Sequence, residues 1–405
     1  MNTMFSESPI MFCKRMSLLA ISLCIACPLV ARAGDACDEH TFSLFDGKTL
    51  DGWTVENGCQ VAVKDGTIEL ESGDGWLRSH QQYGDFRLHV EWQSLKAESY
   101  DAGIYLRALP GGKPFPKQGY QVNLQQGREG NIGNVPGAAS TGLVRPAGSW
   151  NTFDVTVAGD TVDLAINGYC AYRAAGLKIA RGHVGIQVEV PKGGRFRFRN
   201  LSITEFGYRS LFNGRDFSSW VGASGSADKC WRVEEGILEC NGQKGTWLRS
   251  CEQYGDFNLR FDYLVSQGGN SGIYVRVPPD GNHHRANESL PAAGFEVQLL
   301  DDAAPKHAKL KDYQFSGGVY DIAGVTARVS RPAGQWNTME INCRGQHVTT
   351  IHNGVQIVDA AAERFPLLAL RQTYGYLGLQ NHGSAVKFRN IRVGPAADES
   401  HTSAR

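Results

Sequence analysis

Side chains that can exchange protons, bind metal ions or form hydrogen bonds to a polar ligand alternate with apolar residues in three short segments of the C-terminal half. In a β-strand, alternating residues share one face of the sheet. If the three segments are neighbouring strands, their polar residues lie together on the face opposite the core. These residues are Tyr274, Arg276, Glu296, Gln298, Gln380 and His382.

This set is typical of a site rather than of a merely solvated surface. Glu296 and His382 are candidates for a catalytic base or for ligands of a divalent metal ion, because carboxylate and imidazole can do both. Arg276 could stabilise negative charge that develops on a substrate. Any outward sheet face is polar, but these side chains are large and varied rather than the usual Lys, Thr and Ser. The pattern favours a binding groove.

The chain contains two copies of the unit that carries these segments. SLFDGKTLDGW at 43–53 returns as SLFNGRDFSSW at 210–220, and WLRSHQQYGDFRL at 76–88 returns as WLRSCEQYGDFNL at 247–259. DAGIYLR, GYQVNL, RPAGSWNTFDV and FRFRNLSI also have later counterparts in the same order. The unit is much longer than a solenoid repeat, so we expect two complete domains, at 34–205 and 206–395, joined by the short linker 204–209.

Glycine-rich turns separate many short alternating segments, which predicts antiparallel sheets. We therefore expect an all-β fold of two tandem jelly-roll sandwiches. Only 360–370 hints at a helix, and Pro366 interrupts it. Two loops of the second domain, 280–292 and 301–316, could wall the groove. His283 and His284 suggest metal binding, but adjacent loop histidines are more often solvated.

The first copy is an internal control for the groove. Tyr105 and Arg107 are kept, so these two residues and Gln121 are candidates for substrate binding. An amide retains the shape of a carboxylate but loses its charge and basicity. The first domain is therefore predicted to lack catalytic chemistry. Its replacements are Gln121 for Glu296, Asn123 for Gln298, Gln126 for Asp301 and Glu189 for His382.

Charge and targeting signals limit the partners. Lys plus Arg equals Asp plus Glu at 41 each, so no bulk positive field exists to bind nucleic acid.

Residues 1–33 resemble a signal peptide, with Lys14 and Arg15 before an apolar run that ends at a small-x-small site. A membrane anchor or lipidation at Cys27 is a weaker alternative, and no other segment could span a membrane. We expect a periplasmic or secreted protein with a disordered tail at 396–405.

Seven cysteines follow residue 33, and export would place them in an oxidising compartment. Their number is odd and their spacing does not fix a pairing. The oligomeric state cannot be inferred from the sequence.

The ordered motifs SLFNGRDFSSW, WLRSCEQYGDFNL, NSGIYVR, GFEVQLLDD, RPAGQWNTMEI and GLQNHGSAVKFRNIRV resemble the 3-keto-disaccharide hydrolase domain family. The resemblance spans nearly all of each copy and implies a concanavalin A-like fold. It also implies a carbohydrate partner and cleavage of glycosides already oxidised at C3. The residues that match the family pattern are Glu296, Gln298, Asp301, Asp302 and His382. The first copy departs from it at GYQVNLQQ and IQVEV.

The polar residues of the second copy can carry out such a cleavage. A C3 ketone acidifies the proton on C2, so a base such as Glu296 can remove it before the C1 substituent leaves. A divalent metal ion or Arg276 could stabilise the enolate. An ordinary glycosidase would need two carboxylates across the bond, and Gln298 stands where laminarinase-type enzymes carry an acid. A non-catalytic, lectin-like carbohydrate-binding protein and a structural envelope protein remain the alternatives.

Overall fold

The computed structural model describes Met1 and residues 39–397. The predicted signal peptide therefore lies outside the described residues except for Met1, and residues 398–405 of the predicted tail lie outside them too. The described residues from 39 onward belong to one compact unit. Within them, no helix is long and apolar enough to cross a lipid bilayer.

Nearly all regular structure is β-strand. We call β1–β13 the first half and β14–β25 the second half. The strands of the first half are β1 (Glu39–Ser43), β2 (Trp53–Glu56), β3 (Gln60–Lys64), β4 (Thr67–Ser72), β5 (Asp74–Tyr83), β6 (Phe86–Ser94), β7 (Gly103–Leu109), β8 (Gln118–Asn123), β9 (Asn151–Ala158), β10 (Thr161–Ile166), β11 (Tyr169–Ala175), β12 (Gly182–Glu189) and β13 (Phe196–Ser210).

The second half repeats this pattern. Its one α-helical turn, α1 (Pro366–Ala369), lies in the segment that hinted at a helix, and Pro366 occupies its first position. The strands are β14 (Trp220–Gly222), β15 (Trp231–Glu234), β16 (Ile237–Asn241), β17 (Leu248–Tyr254), β18 (Phe257–Val265), β19 (Asn270–Val277), β20 (Phe295–Leu300), β21 (Asn337–Arg344), β22 (His347–His352), β23 (Val355–Ala361), β24 (Gly375–Leu379) and β25 (Ala385–Gly394).

The two halves have the same strand order. The five-stranded sheets are β2-β5-β12-β7-β8 and β14-β17-β24-β19-β20. A 15-stranded sheet runs β11-β10-β9-β6-β13-β25-β18-β21-β22-β23, with β1, β3, β4, β15 and β16 attached. Each half packs its five-stranded sheet against its part of the large sheet, as with Ile104 and Trp92 in the first core and Ile273 and Phe261 in the second. The predicted fold of two tandem jelly-roll sandwiches is confirmed.

The connection between the halves differs from the predicted linker. Residues 204–209 belong to β13, which crosses the predicted domain boundary and pairs with β25 through Arg209↔Val393 and Ser210↔Arg392. The reason is that Glu205 is buried at the junction, where it binds the guanidinium groups of both Arg260 and Arg392. A buried ion cluster of this kind cannot be left without partners, so it fixes the two halves to each other.

Candidate functional site

The five-stranded sheet of the second half forms the floor of a pocket of about 410 Å³. This volume is within the range of roughly 300–1,000 Å³ that small-molecule sites usually occupy. Tyr274 pairs with Glu296 of β20 and with Gly378 of β24, so side chains of β19, of β20 and of the segment that follows β24 come together here. The lining consists of Asn270, Tyr274, His283, His284, Glu296, Gln298, Tyr320, Asp321, Gln380 and His382.

Glu296 lies in this floor and is only 5% exposed. The missing side chain of Gly272 on the neighbouring strand makes room for it, since a Cβ there would lie 2.2 Å from Glu296 Oε1. Burial raises the pKa of Glu296 to about 8, helped by the charge of Asp321 and opposed by a hydrogen bond from Gln380. The carboxyl group therefore changes charge near neutral pH, which suits an acid–base role.

His283 is the direct partner of Glu296. Its Nε2 lies 3.4 Å from Glu296 Oε2, and its Nδ1 is 2.9 Å from the carbonyl oxygen of Gly281, to which it must donate. Neutral His283 therefore turns its Nε2 lone pair toward the carboxyl group. Burial lowers the pKa of His283, which favours this neutral form.

A stack of aromatic rings holds His283 in place. Its ring lies on Tyr274 with centroids 4.7 Å apart, and Tyr274 packs against Trp247 at 5.1 Å in an edge-to-face contact. The loop 280–292 that carries His283 walls the pocket, as predicted. The interpretation of His283 as a solvated loop residue is wrong, because its side chain is 19% exposed and packed on Tyr274.

Amide and phenol groups complete the floor. Gln298 donates from Nε2 to Asn270 Oδ1 (2.6 Å) and to the carbonyl of Ser271 (2.9 Å). Gln380 donates to the Tyr274 hydroxyl at 3.1 Å, and burial raises the pKa of Tyr274 to about 12. These groups offer fixed donors and acceptors of the kind that sugar hydroxyls require. The predicted residues Tyr274, Gln298 and Gln380 thus lie in one pocket with Glu296.

His382 also lines the pocket, at an exposed position just beyond β24. No group of three or more His, Cys, Asp or Glu side chains suited to a metal ion occurs among residues 39–397. The predicted metal role of Glu296 and His382 stays a prediction. A metal ion bound there would hold Glu296 as the deprotonated carboxylate.

The placement of Arg276 in the groove is wrong. The pairing register shifts between Tyr274 and Val277, and Arg276 has a left-handed φ of 52°, so its side chain leaves the pocket face. Its guanidinium donates to the carbonyls of Gly255 and Gly345 and pairs with Asp256 at 3.2 Å. Arg276 is therefore buried and connects the turns that contain Gly255 and Gly345.

Arg107 occupies the equivalent position in the first half. The prediction that it binds substrate is wrong for the same reason. It has a φ of 47° and is 1% exposed. Its guanidinium donates to the carbonyls of Gly84, Gly159 and Ile179 and pairs with Asp85 at 2.9 Å.

Asp301 and Asp302 do not line the pocket and instead fix nearby loops. Asp301 Oδ2 accepts a hydrogen bond from the N–H of Gly268 at 2.7 Å. Asp302 Oδ1 accepts from the N–H and hydroxyl of Ser316, and its Oδ2 accepts from the hydroxyl of Ser330. The prediction that these two carboxylates contact substrate is wrong. They have a structural role, because they accept hydrogen bonds from residues of neighbouring loops.

The first half has a different arrangement at the equivalent positions. Phe115, in the loop between β7 and β8, packs against Tyr105 and Trp76, whereas His283 packs against Tyr274 in the second half. Gln121 donates to Gln187 at 2.5 Å, and Gln187 donates to Glu189 at 3.0 Å. An aromatic side chain and an internally bonded amide thus stand where the second half has an imidazole and a carboxyl group. Substrate binding by Tyr105 and Gln121 stays a prediction.

Comparison with known proteins gives matches in both halves. The family model of the 3-keto-alpha-glucoside-1,2-lyase-like domain matches residues 41–204 and 207–394. A Bacteroides thetaiotaomicron protein named 3-keto-disaccharide hydrolase is 27% identical over an alignment that covers 48% of this chain and 80% of the relative.

Solved structures also resemble parts of the chain. A candidate glycosyl hydrolase from Parabacteroides distasonis is 26% identical with a TM-score of 0.38, covering 47% of this chain and 95% of that one. The carbohydrate-binding module CBM66 from Bacillus subtilis is 17% identical with a TM-score of 0.31, covering 38% of this chain and 96% of that one.

Proposed function

The chain belongs to the 3-keto-alpha-glucoside-1,2-lyase-like domain family. We therefore propose that its second half cleaves glycosides that carry a ketone at C3 of the sugar. The name of the Bacteroides relative, 3-keto-disaccharide hydrolase, supports this substrate class. Glu296 carries the proposal, because it is a buried carboxyl group in the floor of a polar pocket and its pKa is raised to about 8.

The proposed chemistry needs a base of this strength. A ketone at C3 makes the C2 proton acidic, and the carboxylate of Glu296 removes it to give an enolate. The enolate then re-forms the ketone, makes a C1=C2 double bond and breaks the bond from C1 to the leaving oxygen. Addition of water to this product would complete hydrolysis. Because a carboxylate with a raised pKa is a stronger base than an ordinary one, burial of Glu296 favours the first step.

The other floor residues would hold the sugar. Gln298, Gln380 and Tyr274 present amide and hydroxyl groups whose orientations are fixed by hydrogen bonds within the protein. Such fixed groups position a ligand without having to be ordered at the moment of binding. His283 would keep its Nε2 toward Glu296 and share the proton that Glu296 takes up.

An ordinary glycosidase mechanism must be separated from this one, because the pocket holds a second carboxylate, Asp321. Paired carboxylates can hydrolyse glycosides without any ketone. The decisive comparison is therefore between 4-nitrophenyl 3-keto-glucoside and 4-nitrophenyl glucoside. We expect turnover of the oxidised substrate alone. Equal turnover of both would reject the elimination, and binding without turnover would favour the lectin-like alternative.

Two variants of the full chain assign the chemistry to one half. Glu296→Gln copies the amide of the first half and should lower turnover by roughly 100-fold or more. Gln121→Glu is the matched control, since it places a carboxylate at the equivalent position of the first half. It should leave turnover unchanged. A loss with Gln121→Glu equal to the loss with Glu296→Gln would contradict the assignment.

We also propose that the protein is exported to the periplasm or beyond, which rests on the signal-like pattern of residues 1–33. Expression of the full chain followed by cell fractionation and N-terminal sequencing tests this. Export predicts a product in the periplasm or medium that begins near Gly34. A cytoplasmic product that retains Met1 would reject it.

A further inference from the structure

A second pair of acid–base side chains lines the same pocket and takes no part in the proposed removal of the C2 proton. His284 Nδ1 lies 3.4 Å from Asp321 Oδ2. The ring of His284 is also 4.1 Å from that of His283, so the two pairs lie next to each other. The His284 side chain is 57% exposed, whereas Glu296 is almost fully buried. The second pair thus lies on the solvent side of the pocket and the first lies in its floor.

Asp321 is held firmly relative to Glu296. The turn 318–323 attaches to β20, with the N–H of Tyr320 donating to the carbonyl of Glu296 at 2.9 Å and the N–H of Gln298 donating to the carbonyl of Gly318 at 3.0 Å. Asp321 itself adopts a left-handed φ of 59°, which few residues other than glycine adopt. Conformations of this kind are often retained where a side chain must point in a particular direction.

His284 is anchored from the other side. The N–H of His284 donates to Asn282 Oδ1, and Asn282 Nδ2 donates to the carbonyl of Ala292, which closes the base of the loop. Arg285, the next residue, donates to the carbonyls of Leu290 and Leu370. The contact between His284 and Asp321 therefore joins two independently braced segments across the pocket.

A carboxylate beside Nδ1 prepares a histidine for proton donation. Asp321 can accept a hydrogen bond from Nδ1–H, which orients the imidazolium and leaves its Nε2–H available to a ligand. The other groups of the pocket are less suited. Both ring nitrogens of His283 face protein groups, and burial raises the pKa of Tyr274 to about 12. Among the described residues, His382 has no carboxylate partner to orient it.

We propose that His284, oriented by Asp321, is the general acid that protonates the departing glycosidic oxygen. This inference rests on the proposed function. Glu296 takes the C2 proton, and the electron pair of the C2–H bond passes through the enolate into the C1=C2 double bond. The C1–O bond breaks with its electron pair on oxygen, and that oxygen takes the Nε2 proton of His284. The products are a 1,2-unsaturated 3-keto sugar and an alcohol, with protonated Glu296 and neutral His284 left on the enzyme.

The general-acid role of His284 also defines which substrates depend on it. Alkoxide and sugar leaving groups are strongly basic and need a proton as they depart, whereas 4-nitrophenolate leaves readily without one. A site with a dedicated acid is therefore built for glycosides of ordinary alcohols, including disaccharides, rather than for activated ones only.

The test compares methyl and 4-nitrophenyl 3-keto-glucoside with the full chain and its His284→Gln variant. General acid catalysis contributes roughly 10²- to 10⁴-fold, so we expect kcat/KM for the methyl glycoside to fall by about 100-fold or more. The 4-nitrophenyl glycoside should lose less than about 5-fold, because its leaving group has little need of the acid. Asp321→Asn should give a smaller loss with the same substrate selectivity. His284 is exposed, so the variant should fold normally.

A second readout separates this step from proton removal. In D₂O, His284→Gln should exchange the C2 hydrogen of the methyl glycoside faster than it releases methanol, since Glu296 still acts while departure stalls. Glu296→Gln should abolish both. Equal losses on the two substrates, or no loss on either, would overturn the role of His284 while leaving the proposed function intact. No turnover of either oxidised substrate by the unmodified chain would instead reject the proposed function.

Discussion

Glu296→Gln should make the protein more stable at alkaline pH while it removes catalysis. In the unfolded chain the carboxyl group has its ordinary pKa near 4.5, whereas burial raises the pKa of Glu296 in the folded protein to about 8. Between these values the folded state binds one more proton than the unfolded state, so stability is lost as pH rises. Glutamine cannot ionise and removes this dependence.

The size of the effect follows from the shift in pKa. One pKa unit corresponds to about 1.4 kcal/mol, so the buried carboxylate costs roughly 5 kcal/mol once pH exceeds about 9. The cost is roughly 3 kcal/mol at pH 7 and close to zero at pH 4. The variant and the unmodified chain should therefore melt together at pH 4, and the variant should melt progressively higher up to pH 9.

Thermal denaturation followed by circular dichroism from pH 4 to 9 measures this difference. Glu340→Gln is the control, because Glu340 is a buried carboxylate of the opposite kind. Burial would raise the pKa of Glu340, but Arg181 and Arg260 override it and lower that pKa to about 2. Its loss should destabilise the protein by roughly 3–5 kcal/mol at neutral pH. A melting difference for Glu296→Gln that does not change with pH would show that burial does not raise the pKa of Glu296.

Three further predictions concern pH and the corrected arginine. If Glu296 is the base, kcat/KM for 4-nitrophenyl 3-keto-glucoside, whose leaving group needs little acid, should rise about tenfold per pH unit below the Glu296 pKa of about 8 and then level off. A fall over this range in a pH–rate profile would instead assign Glu296 as an acid. Arg276→Met should lower the melting temperature by several degrees without changing the leaving-group dependence of turnover, because the guanidinium binds loop carbonyls. A selective loss of turnover in a folded variant would restore the prediction that Arg276 stabilises charge on the substrate. Burial lowers the pKa values of His80, His183 and His352 to about 3, so below pH 6.5 the unfolded chain binds more protons than the folded protein. The melting temperature should therefore fall steadily from pH 6.5 toward pH 3. A melting temperature that does not change over this range would contradict this prediction.

The fold could be predicted because strand alternation and the repeat are local properties of the sequence. Alternation placed Tyr274, Glu296, Gln298 and Gln380 on one face, and the structure brings all four into one pocket. The same rule failed at Arg276, because it assumes an unbroken strand and a bulge reverses the face. The repeat could have warned of this, since Arg107 occupies the same position in the first half, where Gln121 replaces Glu296.

The loop residues of the site could not be found this way. His283, His284 and Asp321 lie in segments without periodicity or a close counterpart in the first half, so no sequence rule fixes where their side chains point. Their positions depend on contacts over long distances along the chain, such as the hydrogen bond between Tyr320 and Glu296. The raised pKa of Glu296 also required the structure, because it comes from burial.

The most direct test of the proposed elimination is the fate of the hydrogen on C2 when the full chain cleaves methyl 3-keto-glucoside in D₂O. Removal of this hydrogen by Glu296 predicts a sugar product that has lost it, with deuterium at C2 after hydration or a double bond before it. Buffer-only incubation of the product corrects for spontaneous exchange beside the ketone. A sugar product that retains its original C2 hydrogen after complete cleavage would contradict the elimination.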